Sequence, residues 1–255
     1  MNGDFLALLA KQSLGPVPAL IPSSYEPLQA TTVFAFHCAE GVIIAGDHRA
    51  TSGNVIFSDQ TEKILELDAH SLLAIAGVPA VAFEMARTLQ TSFEFYRRSQ
   101  LQSMSLAAKL RALSKLLRDN VPATIQGIGL VAPLFAGVEM NDPQGKPMIF
   151  FYDPLGAQFE AAKYAGSGSG SGSIKSVLHF LDTWGNPKPR EMNLSDAIVL
   201  ANRLLMTAAE FDSATGGVAP DRDKFATIRF LSRNGIEDIS GPRQKALWQK
   251  EVSNE

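Results

Sequence analysis

Residues 31–51 read TTVFAFHCAEGVIIAGDHRAT, and this stretch decides the class of fold. β-branched and aromatic side chains fill residues 32–36, and a second apolar run follows at residues 41–46. Two such runs joined around Ala39-Glu40-Gly41 predict a pair of neighbouring strands. Residues 11–30 carry four Pro and show no clear period, which is typical of an extended segment outside the core. Residues 1–30 are therefore predicted to be a leader.

The rest of the chain alternates between strand-rich and helix-rich regions. Sequence patterns predict strands over 71–76, 128–139, 148–152, 159–165 and 225–231, and helices from Pro79, over 106–117 behind a Ser105 cap, over 174–181 and over 195–211. Sheets that pack on each other and are flanked by helix pairs would bury these faces. The order therefore predicts one α+β domain over residues 31–240, followed by a charged tail over residues 241–255.

Composition argues against several classes of function. Net charge is −3 and the basic residues are spread along the chain, which does not favour nucleic-acid binding. The single cysteine, Cys38, excludes an intrachain disulfide and suits a reducing compartment. No apolar run approaches the roughly 20 residues of a membrane helix, and residues 5–10 are too short for a signal peptide. We therefore predict a cytoplasmic protein without membrane or nucleic-acid partners.

Few residues qualify as a catalytic nucleophile. GxSxG, Walker and HExxH motifs are missing, and the four histidines lack metal-ligand spacing, so neither a metal nor another cofactor is predicted. His37 adjoins Cys38, but neighbours on a strand point to opposite faces. Thr31 stands directly after the leader, and cleavage after Ala30 would liberate its α-amine, whose ordinary pKa of about 7.7–8.0 suits a general base. Taken alone, Thr-Thr-Val is also an ordinary strand start.

Several short motifs in fixed order carry a family resemblance. They are TTV at Thr31, GDHRAT at residues 46–51, Lys63, AG at Gly77, a Gly-Ser run at residues 166–173 and DSATGG at residues 212–217. In this combination the sequence resembles bacterial proteasome β subunits, which are N-terminal-nucleophile hydrolases, from Thr31 to about residue 240. The resemblance implies a four-layer αββα sandwich and a threonine endopeptidase that cleaves itself before Thr31.

The resemblance also implies roles for single residues. Thr31 Oγ1 would attack the scissile carbonyl, and Lys63, held by Asp47, would lower the proton affinity of the hydroxyl and amine. The N–H of Gly77 would donate to the oxyanion. Arg49 is expected only to hold loops together.

Further members of the implied site come from the Gly-Ser run and the DSATGG motif. Asp212 and Thr215 would position the α-amine and its water, together with a serine of the run. The family register favours Ser169, while Ser167 and Ser171 stay open. Composition alone would make the run a flexible linker, but its place before a helix also suits a binding turn.

The substrate is expected to bind as an added strand between Thr51 and Gly77. The pocket for the side chain before the cut would be apolar, which predicts cleavage after apolar residues, and its lining would be Ala50, Thr61, Leu65, Ile75, Pro79 and Phe83. Glu139 is expected to reach the substrate cleft of a neighbouring subunit.

Three positions depart from the family pattern. Ala30 replaces the usual Gly before the nucleophile, which predicts slow or assembly-dependent maturation. Pro79 has no N–H to offer a peptide in the substrate-binding edge. The Gly-Ser run is longer than usual, so its register is open.

The resemblance implies partners as well as chemistry. These are proteasome α subunits, further copies of the chain in two stacked heptameric β rings, a regulatory ring ATPase and protein substrates. Three alternatives stay open: a noncatalytic scaffold subunit that keeps its leader, favoured by Ala30 and Pro79; a two-ring bacterial threonine peptidase without α subunits; and an amide hydrolase of small molecules.

Overall fold

Two five-stranded antiparallel sheets form the centre of the fold, in a computed structural model that describes residues 31–52 and 55–253. The predicted leader, with Ala30, lies outside the described residues. The first sheet contains, in spatial order, β10 (Tyr164–Gly168), β1 (Thr32–Cys38), β2 (Gly41–Gly46), β11 (Thr227–Ser232) and β12 (Gly235–Asp238). The second contains β5 (Ile64–Asp68), β6 (Ser71–Ala74), β7 (Leu134–Val138), β8 (Pro147–Tyr152) and β9 (Gln158–Ala161). A separate ribbon pairs β3 (Ala50–Ser52) with β4 (Val55–Ser58).

Two long helix pairs accompany the sheets. The helices of the described residues are α1 (Pro79–Gln100), α2 (Leu106–Asp119), α3 (Val121–Ile125), α4 (Ser171–Trp184), α5 (Leu194–Phe211) and α6 (Gly241–Val252). Pro79 begins α1, as predicted, because proline is preorganised for the first helical position. Ser105 caps α2 by accepting a hydrogen bond from the Ala108 N–H. Within the described part of the chain, no helix is long and apolar enough to cross a bilayer.

Strand β1 shows how the core is divided. Phe34 and Phe36 pack in a cluster with residues of α4 and α5, while Val33 and Ala35 belong to a cluster shared by the two sheets. Alternate residues of a strand point to opposite faces, and all four are fully buried, so β1 is covered on both sides. A third cluster joins the second sheet, through Phe135 and Phe150 among others, to α1 and α2. The predicted α+β class is confirmed.

Two predicted strands differ from the structure by more than one or two end residues. The predicted strand over 159–165 is wrong, since β9 pairs with β8 in the second sheet whereas β10 pairs with β1 in the first. The predicted strand over 128–139 begins only at Leu134, after Pro133, because the preceding residues pair instead with the segment around Gly77.

The predicted charged tail is also wrong, because residues 241–252 form helix α6. Gln244 is only 2% exposed, and its side-chain amide donates to the carbonyl oxygens of Ala226 and Ile239. Leu247 and Trp248 pack against the cluster of the first sheet. These three side chains recur at helical spacing between charged ones, so the segment belongs to the core of the domain.

Candidate active site

Thr31 lies at the end of the first sheet, immediately before β1, and is 4% exposed. Antiparallel pairing sets Val33 opposite Gly46, so the start of β1 meets the end of β2. Asp47 follows β2 and is held there twice: its N–H donates to the Thr32 carbonyl over 3.2 Å, and its Oδ1 accepts the Thr32 N–H over 3.0 Å. The hairpin therefore brings a carboxylate beside the nucleophile candidate.

The carboxylate of Asp47 forms a buried ion pair with Lys63. Nζ of Lys63 lies 2.6 Å from Asp47 Oδ1, both residues are 1% exposed, and the same ammonium also donates to the Arg49 carbonyl. Asp47 Oδ2 accepts the N–H groups of Arg49 at 2.9 Å and Gly216 at 2.7 Å. A buried charge is tolerated only when it is paired and hydrogen-bonded, and this carboxylate has four donors.

Burial lowers the pKa of the Lys63 ammonium, although the charge and hydrogen bond of Asp47 oppose this effect. A lysine with a lowered pKa can give up and regain a proton closer to neutral pH. Lys63 is also tied to the neighbouring strand, because its carbonyl accepts the Ile75 N–H over 2.9 Å. Both the backbone and the side-chain amine of Lys63 are therefore held by contacts with neighbouring residues.

A second polar cluster surrounds Asp212, the residue that follows helix α5. Its Oδ2 accepts the hydroxyls of Ser169 and Thr215, each at 2.6 Å, and its Oδ1 accepts the Ala214 N–H at 3.1 Å. Burial by itself would raise the pKa of this carboxyl, but the hydrogen bonds from Ser169 and Thr215 hold its pKa below the ordinary value. Asp212 is therefore ionised at neutral pH.

The Gly-Ser run is ordered and forms the end of β10 and the start of α4. Its serines have different partners. The Ser169 hydroxyl donates to Asp212 and its N–H donates to the Thr31 carbonyl over 3.1 Å. The Ser167 hydroxyl donates to the Ala132 carbonyl over 2.6 Å, and Ser171 is buried in the first turn of α4. Of the three open serines, the structure joins Ser169 to both Thr31 and Asp212.

Two glycines of this run contact the candidate site closely, although neither was predicted individually from the sequence. Gly168 has φ +91°, and a Cβ there would lie 1.7 Å from the Thr31 carbonyl oxygen. A Cβ on Gly170 would lie 2.4 Å from Thr215 Oγ1. Only glycine allows the turn to approach Thr31 and Thr215 so closely. The alternation of glycines between a strand and a helix was the available signal.

Gly77 presents its N–H away from the neighbouring segment. It forms an isolated antiparallel bridge with Val131, flanked by hydrogen bonds from Val78 N to Leu130 O at 2.8 Å and from Ala132 N to Ala76 O at 2.9 Å. A pair flanked in this way does not exchange its own hydrogen bonds, so the Gly77 N–H points to the opposite edge. Helix α1 begins two residues later and adds a positive dipole end at this edge.

The other residues predicted to bind substrate lie in four places. Leu65, Ile75 and Phe83 pack in the same hydrophobic cluster between the second sheet and α1. Ala50 and Thr51 are buried in the β3–β4 ribbon. The N–H of Thr61 donates to the His48 carbonyl over 2.9 Å, which ties the segment before Lys63 to the loop after β2. Pro79 stands at the first position of α1.

Glu139 accepts two backbone hydrogen bonds within its own chain. Its Oε2 accepts the Leu106 N–H over 2.9 Å and so caps helix α2, while its Oε1 accepts the Asn141 N–H over 3.1 Å. It follows β7, at the end of that strand remote from the Gly77–Val131 bridge. Its carboxylate therefore has a structural role in this chain, and its reach to the substrate cleft of a neighbouring subunit stays a prediction.

The predicted structural role of Arg49 is confirmed. Its Nε donates to Asp59 over 3.0 Å, and its Nη1 donates to the carbonyls of Ser213 at 3.0 Å and Thr215 at 3.4 Å. The guanidinium therefore joins the loop after β2 to the DSATGG loop.

Among residues 31–52 and 55–253, no group of three or more His, Cys, Asp or Glu side chains could hold a metal ion.

Comparison with known proteins identifies the family. The profile of the family described as "Proteasome subunit" matches residues 28–219. A curated "Proteasome subunit beta" from Acidothermus cellulolyticus is 34% identical over 244 residues, covering 93% of this chain and 81% of the relative. Relatives with the same description from Acidimicrobium ferrooxidans and Stackebrandtia nassauensis are 34% and 36% identical, covering 96% and 88% of this chain and 87% and 78% of their own lengths. With this similarity over nearly its whole length, the chain belongs to the bacterial proteasome β-subunit family.

Proposed function

We propose that this chain is the catalytic β subunit of a bacterial proteasome core, a threonine endopeptidase whose nucleophile is Thr31. The observation that carries the proposal is the buried Lys63–Asp47 pair, hydrogen-bonded to the backbone of Thr32. A buried ion pair seldom adds net stability compared with apolar side chains of similar size. Its position directly beside Thr31 supports a chemical purpose instead.

The acyl-transfer reaction begins with the Thr31 hydroxyl. Its oxygen attacks the scissile carbonyl while its proton passes to the α-amine of Thr31, and the Lys63 ammonium stabilises the developing alkoxide. The Gly77 N–H donates to the oxyanion of the tetrahedral intermediate. The protonated α-amine then gives its proton to the departing peptide amine, which leaves an ester on Thr31. A water deprotonated by the α-amine hydrolyses this ester and restores the enzyme.

The second polar cluster, around Asp212, positions the reacting groups. Ionised Asp212, with the hydroxyls of Ser169 and Thr215, orients the α-amine and the attacking water. An anion at this place also favours the protonated amine that forms during the first step.

Maturation uses the same nucleophile on the peptide bond between Ala30 and Thr31. Attack of Thr31 Oγ1 on the Ala30 carbonyl converts the amide into an ester and liberates the α-amine, and water then releases the leader. Before this step the nitrogen of Thr31 is part of a peptide bond and cannot serve as a base. Lys63, whose pKa is lowered by burial, is the base we assign to it: its neutral amine takes the hydroxyl proton, which then passes to the departing nitrogen of Thr31.

Substrate binds as an extended strand between the ribbon at Thr51 and the segment at Gly77. The shared packing of Leu65, Ile75 and Phe83 supports an apolar pocket for the side chain before the cut. Pro79 offers no N–H to the peptide. Its place at the start of α1 is a structural reason for a proline at this position. The presence of Pro79 is therefore compatible with a catalytic subunit.

The proposal includes the assembly and the wider fold. The three core clusters support a four-layer order of helices, sheet, sheet and helices. The descriptions of the relatives as proteasome subunits support stacked β rings with α subunits outside them. We further propose that the assembly works with a regulatory ATPase, degrades unfolded proteins and lies in the cytoplasm.

The decisive experiment measures intact mass and peptide cleavage on protein assembled with its α subunits. We expect a mass corresponding to residues 31–255 and hydrolysis of peptides after apolar residues. Thr31→Ala is the matched control, since it removes the nucleophilic hydroxyl, and it should keep the full-length mass and show no cleavage. A full-length mass for the wild type, or an active Thr31→Ala variant, contradicts the proposal.

A further inference from the structure

Thr32, the residue after the nucleophile, is fully buried and its hydroxyl lies between two segments of the site. The Gly170 N–H donates to Thr32 Oγ1 over 3.0 Å. The same oxygen lies 2.6 Å from Thr215 Oγ1. A residue that would otherwise serve only as part of β1 is therefore bonded both to the Gly-Ser turn and to the DSATGG loop.

The direction of these hydrogen bonds follows from counting protons. A threonine hydroxyl has one proton to donate. Thr215 gives its proton to Asp212 Oδ2 at 2.6 Å, because the ionised carboxylate can only accept. Thr32 must then donate to Thr215, while its own oxygen accepts the Gly170 N–H. The result is one directed chain from the Gly170 N–H through Thr32 and Thr215 to Asp212, where the Ser169 hydroxyl also ends.

We infer that Thr32 is a positioning residue for the peptidase reaction, and this inference rests on the proposed function. Its hydroxyl sets the place of the Asp212 cluster relative to the α-amine of Thr31. The backbone of Thr31 is held separately, because its carbonyl accepts the Ser169 N–H over 3.1 Å. Together the two contacts fix the nucleophile against the residues that orient its amine.

The close packing around Gly170 explains why no other group can replace the Thr32 hydroxyl as a hydrogen-bond partner. A Cβ at Gly170 would lie 2.4 Å from Thr215 Oγ1 and 2.8 Å from Thr32 Oγ1, so backbone and hydroxyls are in direct contact. Valine has the shape of threonine without the hydroxyl. In Thr32→Val the buried Gly170 N–H loses its acceptor and Thr215 Oγ1 loses its donor. The cluster then shifts to find other partners.

The test compares Thr32→Val and Thr32→Ser with wild type in the assembled full chain. Thr227→Val is the matched control, since Thr227 is a buried threonine of the same sheet whose hydroxyl contacts only the His48 ring among its described hydrogen bonds. Intact mass gives the fraction of chains that begin at Thr31, and kcat is divided by this fraction. The thermal midpoint of each variant is measured in parallel.

For Thr32→Val we expect kcat to fall by about 10- to 100-fold, because a displacement of about 1 Å at a positioned group has effects of this size. KM should stay within about twofold of wild type, because Thr32 is not expected to touch substrate. Thr32→Ser should recover kcat, and Thr227→Val should retain it. Wild-type kcat in Thr32→Val overturns the inference, and so does an equal loss in Thr32→Ser, which would assign the effect to the methyl group. Failure of the proposed function is distinct, since the wild-type protein itself would then keep its full-length mass or cleave no peptide.

Discussion

Ser167 and Ala132 are joined by a hydrogen bond of 2.6 Å that runs from the hydroxyl of Ser167 to the carbonyl oxygen of Ala132. Ser167 belongs to β10, where it lies opposite Val33 of β1, and the N–H of Ala132 donates to Ala76, next to Gly77. One side chain thus connects β10, the strand paired with β1, to the segment of Gly77, the proposed oxyanion donor.

Ser167→Ala is predicted to slow catalysis without preventing folding. Loss of one partly buried hydrogen bond should cost about 1 kcal/mol of stability. Looser placement of Gly77 should lower kcat by about 5- to 10-fold, which corresponds to roughly 1 kcal/mol in the barrier. Peptide hydrolysis and thermal unfolding measure the two effects. Ser176→Ala, which removes an exposed serine of α4, is the control, and equal rates in both variants would contradict the prediction.

Lys63→Ala is predicted to affect both activity and stability. Removal of the cation leaves Asp47 buried without its charge partner, which should cost about 3–5 kcal/mol of unfolding free energy. Peptide cleavage and leader removal should both stop. Thr31→Ala provides the contrast. It should stop both reactions, but the free energy of unfolding, measured with denaturant, should fall much less. Detectable leader removal in a folded Lys63→Ala variant would show that Lys63 is not the base.

Two glycines of the Gly-Ser run should respond to alanine in opposite ways. Gly168→Ala places a Cβ 1.7 Å from the Thr31 carbonyl oxygen at φ +91°, so we expect a loss of roughly 3 kcal/mol or more and no activity. Gly172 lies in α4, where an added Cβ would point into open space. Gly172→Ala should be neutral or stabilising by up to about 1 kcal/mol. Thermal unfolding of both variants checks this, and similar behaviour of the two would refute the assigned turn geometry.

Asp212 is predicted to make stability depend on acidic pH. Hydrogen bonds hold its pKa in the folded protein below the unfolded value, so its contribution is complete above the unfolded pKa of about 3.9. The contribution is lost as pH falls through the lower folded pKa. The difference in thermal midpoint between wild type and Asp212→Asn should therefore be constant above about pH 5 and shrink below about pH 4. A difference that grows on acidification would mean that the pKa is raised instead.

Much of the frame could be predicted from the sequence, because the signals are local. Alternating side chains and a glycine turn determine the β1–β2 hairpin, and that hairpin alone brings Asp47 beside the start of β1. Helix α1 could be predicted equally well, since Pro79 and the helical spacing of its buried side chains mark it. These features depend on residues within a few positions of one another.

Other features depend on segments that are far apart in the sequence. Ser169 and Asp212 are separated by 43 residues, so no local pattern distinguishes Ser169 from Ser167. The capping role of Glu139 depends on Leu106, which is 33 residues away. The packing of helix α6 on the core could not be predicted, because the hydrogen-bond partners of the Gln244 side-chain amide are Asn202, Ala226 and Ile239 of other segments.

The sequence by itself therefore determined the β1–β2 hairpin, the long helices and the residues available for chemistry. The tertiary structure alone decided which hydroxyls meet which carboxylate, because hydrogen bonds require donor and acceptor within about 3 Å. That proximity results from the packing of the two sheets and from glycine turns at Gly77 and Gly168, whose positive φ no side-chain pattern reveals.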